Sequence, residues 1–225
     1  MHEEVTVVRY PVEIPYGIVE YTAMFTRPIL EAWIVPASII LPVLAALDPF
    51  GFKIGGVELK AHTEKLSEYE VLFRRAPAGV TFRLGMEKLV IVAENLDWGD
   101  AEQFVAAANA GIEAVRKATK AQIDTQHIGL GMHIQLKDKP RAEITSSLLS
   151  AEAYKLLDGE LKFPGVILQR EKGSIVVDAS LAFANGLFVR INREHGGDIP
   201  LKEIAEKLLS DEVRLFDVLG LEGTL

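Results

Sequence analysis

The chain contains no cysteine in its 225 residues. That excludes disulfides, thiolate metal sites and a cysteine nucleophile together, and it fits a cytoplasmic location. Methionine, asparagine and glutamine are sparse as well, a composition that fits a thermophile. Basic residues are too few and too dispersed for a cationic surface. The formal net charge is −8, the pI is about 5.2, and no basic run is longer than Arg74-Arg75. This argues against binding nucleic acid or an anionic membrane without sequence specificity, which needs clustered Lys and Arg to displace counterions. The start, Met1-His-Glu-Glu4, is acidic with no apolar stretch behind it, so no signal peptide is expected. There is also no GxxxxGK[ST] loop, no GxGxxG opening a helix after a strand, and no HExxH or GxSxG. No cofactor and no metal are expected.

What is abundant is apolar: 49 % of residues, with a mean hydropathy of +0.19. Either the core is large or another subunit covers part of the apolar surface. The most apolar segment, Ile29 to Leu47, carries a single charge, Glu31. Its length approaches the roughly 20 residues of a membrane helix, but Pro36 and Pro42 interrupt it. An interior proline costs a helix about 3 kcal/mol. The segment is therefore expected to be a buried element rather than a membrane span. It splits at Pro36 into a helix over Ala37 to Leu47, which Asp48-Pro-Phe-Gly51 ends.

Elsewhere periodicity indicates α+β architecture. Strands are expected at 5–8 and 16–26, then as an antiparallel meander over Val57 to His62, Tyr69 to Arg74, Val80 to Leu84 and Lys88 to Glu94. The last is apolar on both parities, so it belongs in the middle of a sheet. Asp100-Ala-Glu-Gln103 has the form of a capping box. It opens a helix to about Lys120 with a narrow stripe of small residues, among them Ala108 and Gly111. Trp98 is expected to staple that helix and Trp33 to lie in the core. After Pro140, a short helix over Ser150 to Leu157 leads to a second round. Its strands are expected at Val166 to Arg170, Ser174 to Phe183 and Leu187 to Arg193, with turns at Gly173 and Asn185-Gly186. A helix from Asp198 and a shorter helical piece, Glu212 to Leu219, follow.

The expected fold is antiparallel sheet with helices packed on one face, in two similar strand-strand-strand-helix halves if the rounds are related. The similarity is either an old duplication or the ordinary look of a strand-to-helix turn. Residues 1–140 would form the first unit, 141–164 a connecting segment and 165–225 a second unit, or the whole a single domain. Strands followed by a long helix are loosely similar in layout to the SecB-type export chaperones. No residue motif accompanies that likeness, the second round departs from it, and no functional residue carries over.

The most site-like stretch is Thr125-Gln-His-Ile-Gly-Leu-Gly-Met-His-Ile-Gln-Leu136. Ile128, Leu130, Met132, Ile134 and Leu136 take one parity. His127, Gly129, Gly131, His133 and Gln135 take the other, which is expected to be an open face with a flat patch of accessible backbone. The two histidines, six residues apart, lie about 20 Å from each other along a strand and cannot share a metal ion. A polar face from the meander, including His62, Arg74 and Arg83 beside Glu58, Glu64 and Glu70, would join this surface if the strands were neighbours. Its ordinary role is a solvated face laced with ion pairs.

Two functions follow. The first is a non-enzymatic binding or assembly protein, a homo-oligomer holding a protein or peptide partner on the open sheet face or on the apolar helix 37–47. The alternative is a small-molecule enzyme using a histidine–carboxylate pair on the polar sheet face, with an arginine holding an anion. The absence of catalytic motifs and the apolar surplus favour the first.

Overall fold

The computed structural model describes residues 9–60, 68–75, 79–95, 101–137, 141–146, 148 and 165–223. The expected strand at 5–8, His62, Glu64, Trp98, the Asp100 cap, Pro140 and the helix at Ser150 to Leu157 lie outside them. The described chain is α+β, with five helices and a 10-stranded sheet. Strands β1 (Tyr10–Phe25), β2 (Val57–Lys60), β3 (Glu70–Arg75), β4 (Val80–Gly85) and β5 (Lys88–Glu94) are followed by β6 (Ile123–Leu136). Then come β7 (Val166–Arg170), β8 (Gly173–Ala179), β9 (Gly186–Gly196) and the two-residue β10 (Leu221–Glu222). The order is β2-β3-β4-β5-β1-β6-β9-β8-β7, with β10 pairing β1 in parallel. The helices are α1 (Leu30–Ile34), α2 (Ala37–Leu47), α3 (Ala101–Thr119), α4 (Arg141–Ser146) and α5 (Leu201–Leu219).

By contacts the chain divides into two compact units, each assembled from separate segments. One comprises Met1–Gly17, Leu130–Asn192 and Lys207–Leu225; the other comprises Ile18–Gly129 and Arg193–Glu206.

The larger unit holds the meander, and alternation of side chains explains its core. Direct cross-strand partners share a face. The register therefore lines up Val57, Phe73, Phe82, Ile91 and Tyr21 across five strands. A second row runs Leu59, Val71, Leu84, Leu89 and Ala23. Phe73 and Phe82 meet edge to face with centroids 5.9 Å apart. As expected, β5 is central, lying between β4 and β1. Helix α3 packs on this face at Gly111, where a Cβ would collide with the Phe82 ring. Phe82 is 1 % exposed, so the ring has nowhere to retreat, and glycine is what lets the helix approach so closely.

Proline decides the segment 29–47, with a different outcome for burial. Pro36 splits it, Ile40 N–H donates to the Pro36 carbonyl at 2.9 Å, and α2 covers the expected residues. A 3₁₀ turn over Asp48–Phe50 and a left-handed Gly51 (φ 89°) stop the helix. The segment is not a buried element, however. No residue of α1 is buried, and in α2 only Ile39, Val43 and Leu47 are. The reason is position: α2 packs on α3, so only one of its sides is covered. Trp33 is half-buried in α1, its ring edge-on to Tyr69 at 6.3 Å.

In the smaller unit, the strand expected over Ser174 to Phe183 stops at Ala179. The Ser180 hydroxyl accepts hydrogen bonds from the N–H groups of Ala182 and Phe183, at 3.1 and 3.2 Å, and so turns the chain early. Asn185-Gly186 is then not a two-residue hairpin turn. The Asn185 amide donates to the Leu136 carbonyl instead. A Cβ on Gly186 would press on the Ile134 carbonyl and on Phe183. Helix α5 is continuous from Leu201 to Leu219, not broken before Glu212.

Gly111→Ala is expected to lower stability by about 1–3 kcal/mol through overpacking against Phe82, read as a lower urea midpoint at unchanged slope. An unchanged midpoint would show that α3 does not depend on this approach.

Candidate functional site

The apolar surface of the larger unit is concentrated on α1 and α2. Leu30, Ile34, Val35 and Leu41 are 56 %, 79 %, 57 % and 59 % exposed. Helix α2 has no charged residue. With Ile39, Val43 and Leu47 turned inward, its outward stripe is Ser38, Leu41, Pro42 and Ala45, the i, i+3, i+4, i+7 spacing of a helix-packing face. Beside that stripe lies an open groove of about 590 Å³ between α2 and α3. Ser38, Pro42 and Ala46 form one wall, and Ala110, Ala114 and Ala118 form the other. The charged residues that line it are Glu113 and Lys117, one turn apart on α3 and both exposed.

The sheet face away from α3 is the polar face expected from the meander. One row runs Glu58, Leu72, Arg83, Val90 and Thr22; another runs Arg74, Thr81, Val92 and Glu20. Arg74 donates to the Glu58 carboxylate at 3.0 Å with both side chains about half exposed. Leu72 and Val92 are buried on this face, so its wet area is smaller than alternation implies. His127 does share the face, and its Nδ1 lies 4.0 Å from a Glu194 carboxylate oxygen. It is not brought to an arginine: with β5 and β1 between β4 and β6, Arg83 is three strand spacings away, about 14 Å, and Arg74 four, about 19 Å.

The accessible backbone patch is not formed. Gly129 and Gly131 are buried, while His127 and Gln135 are exposed. Strand β6 has hydrogen-bonded neighbours on both sides. A glycine there has no side chain to hold its neighbours' side chains apart, and they shade it. In the smaller unit His133 is half-buried. It lies between the rings of Tyr16 and Phe188, at centroid distances of 5.9 and 5.1 Å, with its Nδ1 2.8 Å from Ser180 Oγ. Ser180 Oγ already accepts two backbone N–H bonds, so its hydrogen donates to Nδ1 and the ring proton sits on Nε2. Ser180 is 6 % exposed. The arrangement clamps a turn and does not present a nucleophile.

Two polar groupings are not picked out by the motif search. In the larger unit, buried Gln126 accepts from the Tyr21 hydroxyl at 2.6 Å and donates to the carbonyls of Gly196 and Ile199 at 2.7 and 2.9 Å. Burial pushes the Tyr21 phenol well above its ordinary range, while the Arg116 guanidinium works the other way. The signal is legible afterwards: Gln126 shares the parity of Ile128 to Leu136, so it is a polar residue on the buried side. In the smaller unit, Arg170 donates to buried Asp211 at 2.9 Å. Burial pushes the neighbouring Glu212 carboxyl from 4.5 up to about 7. Following the helical stripe Leu201, Ile204, Leu208 by four residues reaches Glu212, then Leu215 and Leu219. Among the described residues no group of three or more His, Asp or Glu converges as a metal site, and no helix is long and apolar enough to cross a membrane.

His127→Ala is expected to leave thermal stability within about 0.5 kcal/mol of the parent, whereas His133→Ala should lose about 1–2 kcal/mol by orphaning Ser180 and the two rings. The reverse order in calorimetry would mean that the exposed approach of His127 to Glu194 contributes more than the serine and ring contacts of His133. Because the folded pKa of Glu212 is raised, the native state holds the carboxyl proton more tightly than the unfolded chain does. Its contribution is full below pH 4.5 and is lost as pH rises through about 7. Glu212→Gln should therefore gain on the parent by on the order of 1–3 kcal/mol between pH 4.5 and 8. A difference in stability that is constant over that range would contradict the burial of an ionisable carboxyl there.

No protein-family model matches the chain, and no curated protein matches its sequence.

Proposed function

We propose that this chain is a non-enzymatic binding and assembly protein, a cytoplasmic homo-oligomer. On this reading the outer side of α1 and α2 is the surface through which it engages a protein or peptide partner. The observation that carries the reading is the run of four well-exposed aliphatic side chains, Leu30, Ile34, Val35 and Leu41, leading into a helix without charge. Single exposed aliphatics are ordinary on protein surfaces. Several in one short stretch beside an open groove form the kind of patch that a partner covers. The sheet face is the poorer candidate for docking, because it carries Glu58, Arg74, Arg83 and Glu20 in its rows. The absence of cysteine supports the cytoplasmic location.

The competing reading, a small-molecule enzyme using a histidine–carboxylate pair, has the approach of His127 to Glu194 in its favour. Both side chains are about half exposed, at 48 % and 51 %. Water screens such a pair, which lacks the dry setting that makes a histidine–carboxylate couple an effective base.

A photo-crosslinking amino acid placed at position 41, compared with one at exposed position 83, tests the reading. An ultraviolet-dependent adduct to a second polypeptide is expected from position 41 and not from position 83. No adduct from 41, or equal adducts from both, would contradict docking through α2.

A further inference from the structure

We infer that the groove between α2 and α3 is closed by the same two helices of a second copy of this chain, packed antiparallel about a two-fold axis. This rests on the assembly reading above and names its partner. A two-fold interface puts one patch against its own image, so the patch must be complementary to itself. The apolar part meets that condition without difficulty. The outward stripe of α2 has no charge to oppose its copy, and Leu41 stands out from it. The wall of Ala110, Ala114 and Ala118 on α3 is low, which permits two helices to approach closely.

The charges at the groove choose between a copy and an unrelated partner. Glu113 and Lys117 are the charged residues in its lining, opposite in sign and one helical turn apart. A two-fold axis perpendicular to α3 and passing between them sets Glu113 of each copy against Lys117 of the other, forming two ion pairs at once. Two like charges at these positions would repel their own images, and an unrelated partner would have to supply both signs in reverse order. The residues also have capacity for the bond. Glu113 accepts from Arg116 through Oε1 at 3.1 Å, which leaves Oε2 for a further donor. Lys117 has no ion-pair partner among the described residues. A peptide lying in the groove would gain from the apolar stripe but would not depend on the alternation of sign along α3.

Sedimentation equilibrium of the full chain tests this, with circular dichroism confirming that each variant is folded. The parent is expected at twice the chain mass and Leu41→Glu at the chain mass. Glu113→Lys and Lys117→Glu, each of which makes both contacts repulsive, should each weaken the dimer by about tenfold or more. The doubly reversed Glu113→Lys/Lys117→Glu chain should return to within about threefold of the parent, because each pair is restored with its signs exchanged. A parent that stays monomeric at ~100 μM, far above the Kd of most specific assemblies, would overturn the inference. A crosslink from position 41 to a different polypeptide would then still sustain the assembly reading. A dimer that Leu41→Glu leaves intact would overturn the choice of face. A dimer broken by Leu41→Glu but indifferent to the charge reversals would overturn the two-fold arrangement.

Discussion

Helix α3 can sit where it does because residue 111 has no side chain. The Phe82 ring occupies the space a Cβ would take, and that ring is itself fixed by Phe73 and by its place in the cross-sheet row. Beside that contact, Ala110, Ala114 and Ala118 of α3 line the groove next to α2. Helix α2 packs against α3. It is covered on one side only, at Ile39, Val43 and Leu47. Its sequence nevertheless carries no charge on any side, and that mismatch between what the fold covers and what the residues avoid is the basis of the functional reading. The proposed assembly partner would resolve the mismatch by removing Leu41 and its neighbours from water.

The polar groups of the larger unit show the opposite economy. Gln126 lies in the core, yet its carbonyl accepts from the Tyr21 hydroxyl and its amide donates to two backbone carbonyls. A buried amide so completely engaged is a structural tie, because the loss of any partner would strand the others in an apolar setting. The exposed ionic groups of the same unit pair with one another in water, as Arg74 does with Glu58. Neither arrangement resembles a reactive centre. The histidines divide in the same way: His127 is exposed near a glutamate, while His133 is held by a serine hydroxyl and two rings.

Much of this was legible in the residues. Alternation located the meander, the two faces of β6 and the central place of β5, and Pro36 with Asp48-Pro49 marked both ends of α2. What alternation does not reveal is what lies beyond the strand. Gly129 and Gly131 take the open parity but are shaded by neighbouring side chains, so equal parity did not mean equal access. The Ser180 turn was hidden because a hydroxyl that captures two backbone N–H groups leaves no mark in a pattern of apolar residues. The expected separate piece over Glu212 to Leu219 is part of one helix, because the helical stripe of Leu201, Ile204 and Leu208 passes straight through Glu212 to Leu215 and Leu219. The apolar segment 29–47, with Glu31 its single charge, shows the reverse: composition reports what a side chain avoids and not whether this chain alone supplies the cover.

If the proposed partner surface, the outer side of α1 and α2, is where the second copy over the α2–α3 groove sits, the side chains there are covered in solution. Hydroxyl-radical footprinting across a dilution series tests it residue by residue, with Leu181, which is 99 % exposed, as the reference for free access. The account predicts that Ile34, Val35 and Leu41 are oxidised far less than Leu181 in concentrated solution and gain reactivity together on dilution. Oxidation of the three in proportion to their exposure at every concentration would mean that the surface is bare in solution, and would contradict the account.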